Sequence, residues 1–227
     1  MTPPHRLAQY AIHESLKKVT SYHLTQSDLA KLGIHREEMK LQGKSPPLFF
    51  SPYPAAVCVP DASHITDGFP PLKDDPSSDP LALAWHLYEC YGNFNFPDLC
   101  APVSETHWDV RAAWPMRDDN LPHMVVLMYT DVVAGRALLR SEIIVVLRIM
   151  HGRLRSRSTR PHTIAPILLF SVAAPHHIRV IESYYDGERL VVRVCPSYSI
   201  AKSDHKPFCY LTRWWRGSAN SQPTALF

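Results

Sequence analysis

The chain contains thirteen histidines and five cysteines, residue types that can bind a zinc ion. Cys195, His205 and Cys209 lie close together in the sequence, and thiolate and imidazole are the ligands that zinc prefers. A closed structural site needs four protein ligands. The candidates for the fourth are His176, His177 and Cys58. Because the fourth ligand is missing locally, we predict free thiols and surface histidines, and no cofactor.

A run of arginines forms a second group of candidate binding residues. Its members are Arg148, Arg153, Arg155, Arg157 and Arg160. From Arg153 onward they are interleaved with serine and threonine, and in an extended chain alternate side chains would form a guanidinium row that neutralises phosphates. The alternatives are a solvated connection between a helix and a strand, and regulation by phosphorylation of the hydroxyl groups.

The charge of the chain is polarised. The formal net charge is +3, but residues 136–216 contain fourteen Lys or Arg and five acids, which leaves ten basic and sixteen acidic residues elsewhere. A basic C-terminal half indicates contact with nucleic acid, another polyanion or an acidic protein. Trp214 and Trp215, flanked by Arg213 and Arg216, could stack on bases, or they could cap the core as an aromatic pair.

The local motifs of common enzymes are absent from the sequence. No G-x-S-x-G, H-E-x-x-H, G-x-G-x-x-G or EF-hand loop occurs. Gly43-Lys44-Ser45 resembles the end of a P-loop, but Glu38 replaces its first glycine and the prolines at 46 and 47 prevent the following helix. The sequence leaves open whether the protein is an enzyme.

The elements that must position these residues form an α+β pattern. Apolar spacing predicts an amphipathic helix over residues 5–21 and a short helix from Ser27 to Leu32, ended by Gly33. The other predicted helices cover residues 81–91, 132–140 and 141–155, the last largely buried. Strands are predicted over residues 123–130, 162–173, 177–185 and 189–195.

Asp186-Gly187 is the strongest hairpin signal in the sequence. With a two-residue loop, Leu190, Val192 and Val194 would share a sheet face with Ile181. A three-residue loop through Glu188 would reverse this relationship, because the side chains of a strand alternate between its faces. The sequence does not choose between the two.

We predict one α+β domain over residues 1–227, with a central mixed or antiparallel sheet that carries the C-terminal hairpin and is packed by helices. An N-terminal helical pair (residues 1–42) would cover one face. The chain has 21 prolines and only 8 glycines, and the prolines are concentrated in residues 43–80. We predict a proline-rich loop there, mobile from about residue 61. An α+β core over residues 81–216 and a flexible tail over 217–227 would follow.

The location expected from the sequence is cytoplasmic or nuclear. The N-terminus has no secretory signal pattern, and no apolar run approaches the roughly 20 residues of a membrane-spanning helix. The odd number of cysteines without a C-x-x-C pair is typical of free thiols in a reducing compartment. We therefore expect a protein that is neither secreted nor bound in a membrane.

The order helix, strand, hairpin over residues 141–195 resembles the central part of restriction-endonuclease-like nucleases. In that family a helix acid and a hairpin with acidic residues and a lysine bind Mg²⁺ and activate water. The resemblance implies Glu142, Glu182 and Asp186 as catalytic candidates and Mg²⁺ as the cofactor, although residues 189–195 contain neither the acid nor the lysine. For Glu142 the alternative is a structural role at a helix N-terminus. Residues 141–198 also resemble proteins of filamentous fungi without an assigned activity.

Charge polarity without a catalytic constellation favours a non-catalytic binding or interaction module, whose basic C-terminal half contacts nucleic acid or another polyanion. The alternative is an enzyme. It would be a nuclease-like, metal-dependent phosphodiesterase or an accessory enzyme that acts on a small molecule in an apolar pocket.

Overall fold

The computed structural model describes residues 4–54, 107–116, 120–174, 177–199 and 206–225. The predicted helix at 81–91 and most of the proline-rich loop lie outside these ranges. In chain order the helices are α1 (Pro4–Lys17), α2 (Gln26–Lys31), α3 (Arg140–Arg155) and α4 (Lys206–Trp215). The longer strands are β2 (Ile34–Glu38), β4 (Trp108–Pro115), β5 (Met124–Val133), β7 (Ile167–Ala174), β8 (His177–Tyr185) and β9 (Leu190–Val194). The two-residue strands are β1 (His23–Leu24), β3 (Phe50–Ser51), β6 (Leu138–Leu139), β10 (Tyr198–Ser199) and β11 (Ser218–Ala219).

The longer strands form one mixed sheet in the order β2-β9-β8-β7-β5-β4. The pairs β2 with β9 and β5 with β7 are parallel, and the other pairs along this order are antiparallel. Beyond β9 the chain returns to β8 as β10. This sheet and the helices confirm the predicted α+β class and the mixed sheet. None of the helices in the described ranges has the length and apolar content needed to cross a membrane.

The sheet has an apolar core on each face. Because strand side chains alternate in direction, neighbouring positions of one strand enter different cores. The first core lies under α1, α2 and α3, and includes Leu16, Leu29, Leu147, Leu169 and Ile181. The second lies under α4 and the segment around β3, and includes Phe50, Phe170, Val180, Leu211 and Trp214. Within the first core α1 packs on α3.

Most predicted elements are confirmed, with shifted ends. The first helix ends at Lys17. The second begins at Gln26 and is capped by Thr25, whose side chain accepts from the backbone of Asp28 in a capping box. Gly33 follows with a φ of 66°, the left-handed conformation that ends a helix. Helix α3 is largely buried, as its apolar residues on several faces predict.

The predicted helix over residues 132–140 is wrong. Strand β5 continues to Val133, which pairs with Ala174 after an irregularity in the register. The chain then bends and forms β6, which pairs with β1 before α3 begins. Pairing with neighbouring strands prevails here over the moderate helix propensity of the segment.

The hairpin between β8 and β9 has the face relationship expected for a two-residue loop. Tyr185 pairs with Leu190, so that residues 186–189 connect the strands, and Ile181 pairs with Val194 in the first core. An even number of connecting residues preserves side-chain direction, which excludes the three-residue alternative. Gly187 adopts a φ of 107°, a value that strongly favours glycine.

The C-terminal stretch, for which we predicted a flexible tail, contacts the rest of the structure where it is described. Strand β11 pairs with β3. The carbonyl oxygen of Thr224 then accepts hydrogen bonds from the backbone of Thr163 (3.0 Å) and Ile164 (2.9 Å). These bonds fix residues 218–224 along the segment that enters β7.

Candidate functional site

Glu142, the helix acid implied by the nuclease resemblance, is fully buried in an ion pair. It lies in the first turn of α3, and its Oε2 accepts a hydrogen bond of 2.8 Å from the backbone of Leu139. Arg179 on β8 binds both oxygens, with Nε 2.8 Å from Oε1 and Nη2 2.5 Å from Oε2. The arginine also donates to the carbonyl of Gly135 at 3.1 Å. The carboxylate therefore caps the helix and joins it to the sheet.

Glu182 lies in the opposite core, although it is only three residues from Arg179. Its oxygens accept from the backbone of Leu48 (2.9 Å) and Phe49 (2.8 Å) and from Arg193 Nη1 (2.6 Å). Burial raises the pKa of Glu182, while these hydrogen bonds and the arginine act in the opposite direction. The carboxylate is thus surrounded by protein donors.

Arg193 completes a charged row across three strands. Besides Glu182, it contacts Ser45 Oγ (3.0 Å) and the carbonyl of Pro46 (2.9 Å). Its Nε lies 3.3 Å from Glu37 on β2, the residue that pairs with Arg193 in the sheet. Arg193 therefore ties the segment before β3 to the sheet.

Asp186 lies in the hairpin turn and stabilises it. One carboxylate oxygen accepts from the backbone of Glu188 (2.9 Å) and Arg189 (2.8 Å). The structure therefore holds Glu142, Glu182 and Asp186 in three separate environments rather than at one ion site. No group of three or more His, Cys, Asp or Glu side chains in the described ranges is arranged to hold a metal ion.

Of the three residues considered as zinc ligands, only Cys195 has a described side chain. Its thiol is buried, lies 3.0 Å from the backbone nitrogen of Val180 and donates to the carbonyl of Pro196 at 3.2 Å. Burial raises the pKa of Cys195 to about 11. His205 and the side chain of Cys209 lie outside the description, as do His176 and Cys58.

The arginine run does not form the extended row that we considered. Arg153 and Arg155 belong to the last turn of α3, and residues 157–161 form turns. Arg153 is only 4% exposed and donates a hydrogen bond of 2.6 Å to the carbonyl of Leu121. Arg148 is half-buried on α3. The structure therefore leaves Arg155, Arg157 and Arg160 as the exposed members.

Arg6, which the sequence did not indicate as a binding residue, lies near two of these arginines. Arg6, in the first turn of α1, has its pKa lowered by partial burial and by the positive charges of Arg160 and Arg155. We call Arg6, Arg155 and Arg160 the arginine cluster. None of the three forms an ion pair with a carboxylate within the part of the chain that the structure describes.

Two further side chains adjoin the cluster. The ring of His151 on α3 contacts the backbone of Arg6, and its pKa is lowered by burial and by Arg155 and Arg6. The ring centroid of Tyr10 lies 6.1 Å from that of His151. The sequence showed the helical spacing within α1 and within α3. It contained no signal that the start of α1 lies beside the end of α3.

The two tryptophans at the end of α4 pack within the protein. Trp214 is 2% exposed in the second core, and half-buried Trp215 contacts Trp114 (ring centroids 4.0 Å apart) and Phe170 (5.2 Å). This packing favours the core-capping alternative over base stacking. Trp114, Trp215 and Arg216 line a shallow cleft of about 240 Å³.

No family model, curated protein or solved structure matches this chain. The nuclease-like and fungal resemblances therefore stay predictions, and the geometry of the residues carries the functional interpretation.

Proposed function

We propose that this chain is a non-catalytic binding module that contacts a polyanion, in the first instance nucleic acid, through the arginine cluster. The observation that carries the proposal is that Arg155 and Arg160 lie near enough to Arg6 for their charges to lower its pKa, while none of the three has an ion pair with a carboxylate in the described ranges. A cytoplasmic or nuclear location, as expected from the sequence, would give such a surface access to nucleic acid.

The position of Arg6 is difficult to explain by fold stability. A cation near a helix C-terminus is favourable by about 0.3–1 kcal/mol, which gives Arg155 a structural reason to lie at the end of α3. The same dipole argument makes a cation unfavourable in the first turn of α1, where Arg6 lies and where no acid is present. Repulsion from two neighbouring arginines adds to this cost. A bound phosphate would relieve both effects, because it pairs with guanidinium groups and is favoured near a helix N-terminus.

The environments of the acids favour a non-catalytic role. Glu142 is bound by Arg179 and one backbone amide, and Glu182 by Arg193 and two backbone amides, on opposite faces of the sheet. A metal ion would have to displace these partners. A phosphodiesterase that used Glu142, Glu182 and Asp186 together would therefore require a rearrangement of both cores.

Salt-dependent binding tests the proposal. The affinity of the full chain for labelled oligonucleotides would be measured by fluorescence anisotropy from low to physiological salt, alongside Arg155→Gln/Arg160→Gln. If both arginines contact phosphates, the double substitution lowers the slope of log affinity against log salt by about 1.4–1.8, since each contact contributes about 0.7 on single strands and 0.9 on duplexes.

A matched control is Arg189→Gln. Arg189 is also exposed, but it lies in the hairpin turn next to Asp186. The control should leave the slope unchanged, and all variants should unfold at the temperature of the parent protein. A slope near zero, no binding at low salt, or an equal loss in the control would refute nucleic-acid binding. Displacement by polyglutamate but not by oligonucleotides would instead identify an acidic protein as the partner.

A further inference from the structure

We infer that the nucleic acid bound at the arginine cluster is single-stranded and that one of its bases stacks on Tyr10. This inference rests on the proposed function and specifies its ligand. Two large apolar residues of α1 are exposed near the cluster: Leu7 is 57% and Tyr10 is 53% exposed. The buried apolar side of this helix is formed instead by Ile12 and Leu16.

The helical spacing places the aromatic and basic groups side by side. Tyr10 follows Arg6 by four residues, which puts both on one side of α1, one turn apart. On α3 the same spacing separates His151 from Arg155. The Tyr10 and His151 rings adjoin each other, and Arg155 is near enough for its charge to lower the pKa of both Arg6 and His151. The two helices thus bring the aromatic pair and the two arginines into one region.

Such a surface distinguishes single strands from duplexes. Phosphates are available in both, so the arginine cluster alone would bind either form. The faces of the bases are accessible only where the strand is unpaired, and stacking on an aromatic side chain contributes about 1–3 kcal/mol per base. Tyr10 contacts His151 while the residue remains largely exposed, so it can accept a base without unfolding of the helix.

The neighbouring groups support this role. His151 has a lowered pKa, mainly because it is buried, so that at neutral pH its uncharged ring supports Tyr10. Arg6 and Arg155 lie one helical turn from the aromatic pair, both toward the start of α1 and the end of α3. A strand could place successive phosphates near the arginines and a base over Tyr10, the combination by which single-strand-binding surfaces work.

The test compares oligothymidine with a blunt duplex of equal length, using the full chain. Tyr10→Ala should weaken oligothymidine binding about 5-fold or more, since 1 kcal/mol corresponds to roughly that factor. The slope of log affinity against log salt should be the same for Tyr10→Ala as for the parent protein, because no phosphate contact is lost. Tyr10→Phe should retain the affinity. Tyr22→Ala is the matched control, since Tyr22 is also largely exposed (48%) but contacts His107.

The outcomes separate this inference from the proposed function. Equal binding of duplex and single strand, with no effect of Tyr10→Ala on either, would overturn the single-strand inference while the polyanion surface stands. Equal losses in Tyr10→Ala and Tyr22→Ala would also overturn it. No oligonucleotide binding at low salt would overturn both. Binding only to vesicles that contain phosphatidylserine, lost in Tyr10→Ala, would reassign the surface to an anionic membrane and overturn the inference.

Discussion

Arg193 on β9 lies directly opposite Glu182 on β8, and its Nη1 is 2.6 Å from the carboxylate Oε2. The same carboxylate holds the backbone of Leu48 and Phe49, so a single buried ion pair joins the hairpin to the segment that precedes β3. Replacement of one partner leaves an uncompensated buried charge, whereas replacement of both removes it. This asymmetry can be measured.

We expect Arg193→Met to lower the free energy of unfolding by about 3–5 kcal/mol, because it leaves Glu182 charged in the core. Glu182→Gln retains an acceptor for Leu48 or Phe49 and should cost less. Urea unfolding followed by tryptophan fluorescence would give both values. The double variant should lose less stability than the sum of the two single variants, and strict additivity would show that the pair is not coupled.

Glu142→Gln separates a structural role for this acid from a catalytic one. The amide side chain can still accept from Leu139 but cannot form the charged bidentate pair with Arg179, so we expect a loss of about 2–4 kcal/mol in unfolding free energy. Binding to oligonucleotides should be unchanged at temperatures where the variant is folded. The rate of plasmid nicking in the presence of Mg²⁺ should be the same for Glu142→Gln as for the parent protein. Metal-dependent nicking that disappears in the variant would support the nuclease-like alternative.

His123 should make the protein less stable in mild acid. His123 is 1% exposed and its ring contacts those of Phe49 and Phe50. Burial, followed by the charges of His162 and Arg153, lowers its pKa to about 4. Below the unfolded pKa of 6.5 the unfolded chain binds the proton and the folded protein does not. Stability therefore falls as the pH decreases from 6.5 to 4, by at most roughly 3 kcal/mol from this group.

His123→Phe removes this contribution. Unfolding free energies measured by urea titration between pH 7 and 4.5 should decline less steeply in the variant than in the parent protein. Parallel curves would show that His123 is protonated at a similar pH in both states.

Gly217 permits a close approach between the end of α4 and β3. A Cβ atom there would overlap the carbonyl oxygen of Ser51 and lie 3.1 Å from that of Trp214. We expect Gly217→Ala to cost about 1–3 kcal/mol in unfolding free energy, because backbone atoms must move. Gly135→Ala is the control, since no atom lies within 4 Å of its added Cβ. Equal thermal unfolding midpoints for the two variants would contradict the close contact.

Cys195 should resist alkylation while the protein is folded. The reactive species is the thiolate, and burial raises the pKa of this thiol to about 11. Treatment with iodoacetamide at pH 8, followed by peptide mass spectrometry, should modify Cys195 at least tenfold faster in urea than in buffer. Comparable rates would mean that the thiol is accessible in the native protein.

The sequence by itself determined the elements whose signals are local. Alternating apolar residues and Asp186-Gly187 predicted β8, β9 and the turn between them, and a long apolar stripe predicted α3. Gly33 was correctly expected to end α2, because only glycine adopts a left-handed conformation without strain. These predictions succeeded because each depends on a few adjacent residues.

The tertiary structure alone decided which charged residues meet. Arg153 and Arg155 are two positions apart in one basic run, but one lies in the interior and the other on the surface because they point to different sides of α3. Arg6 joins Arg155 and Arg160 only because α1 packs on α3 with its start beside the end of α3. The sequence spacing of two helices does not specify their relative position, which depends on the shape of the core between them.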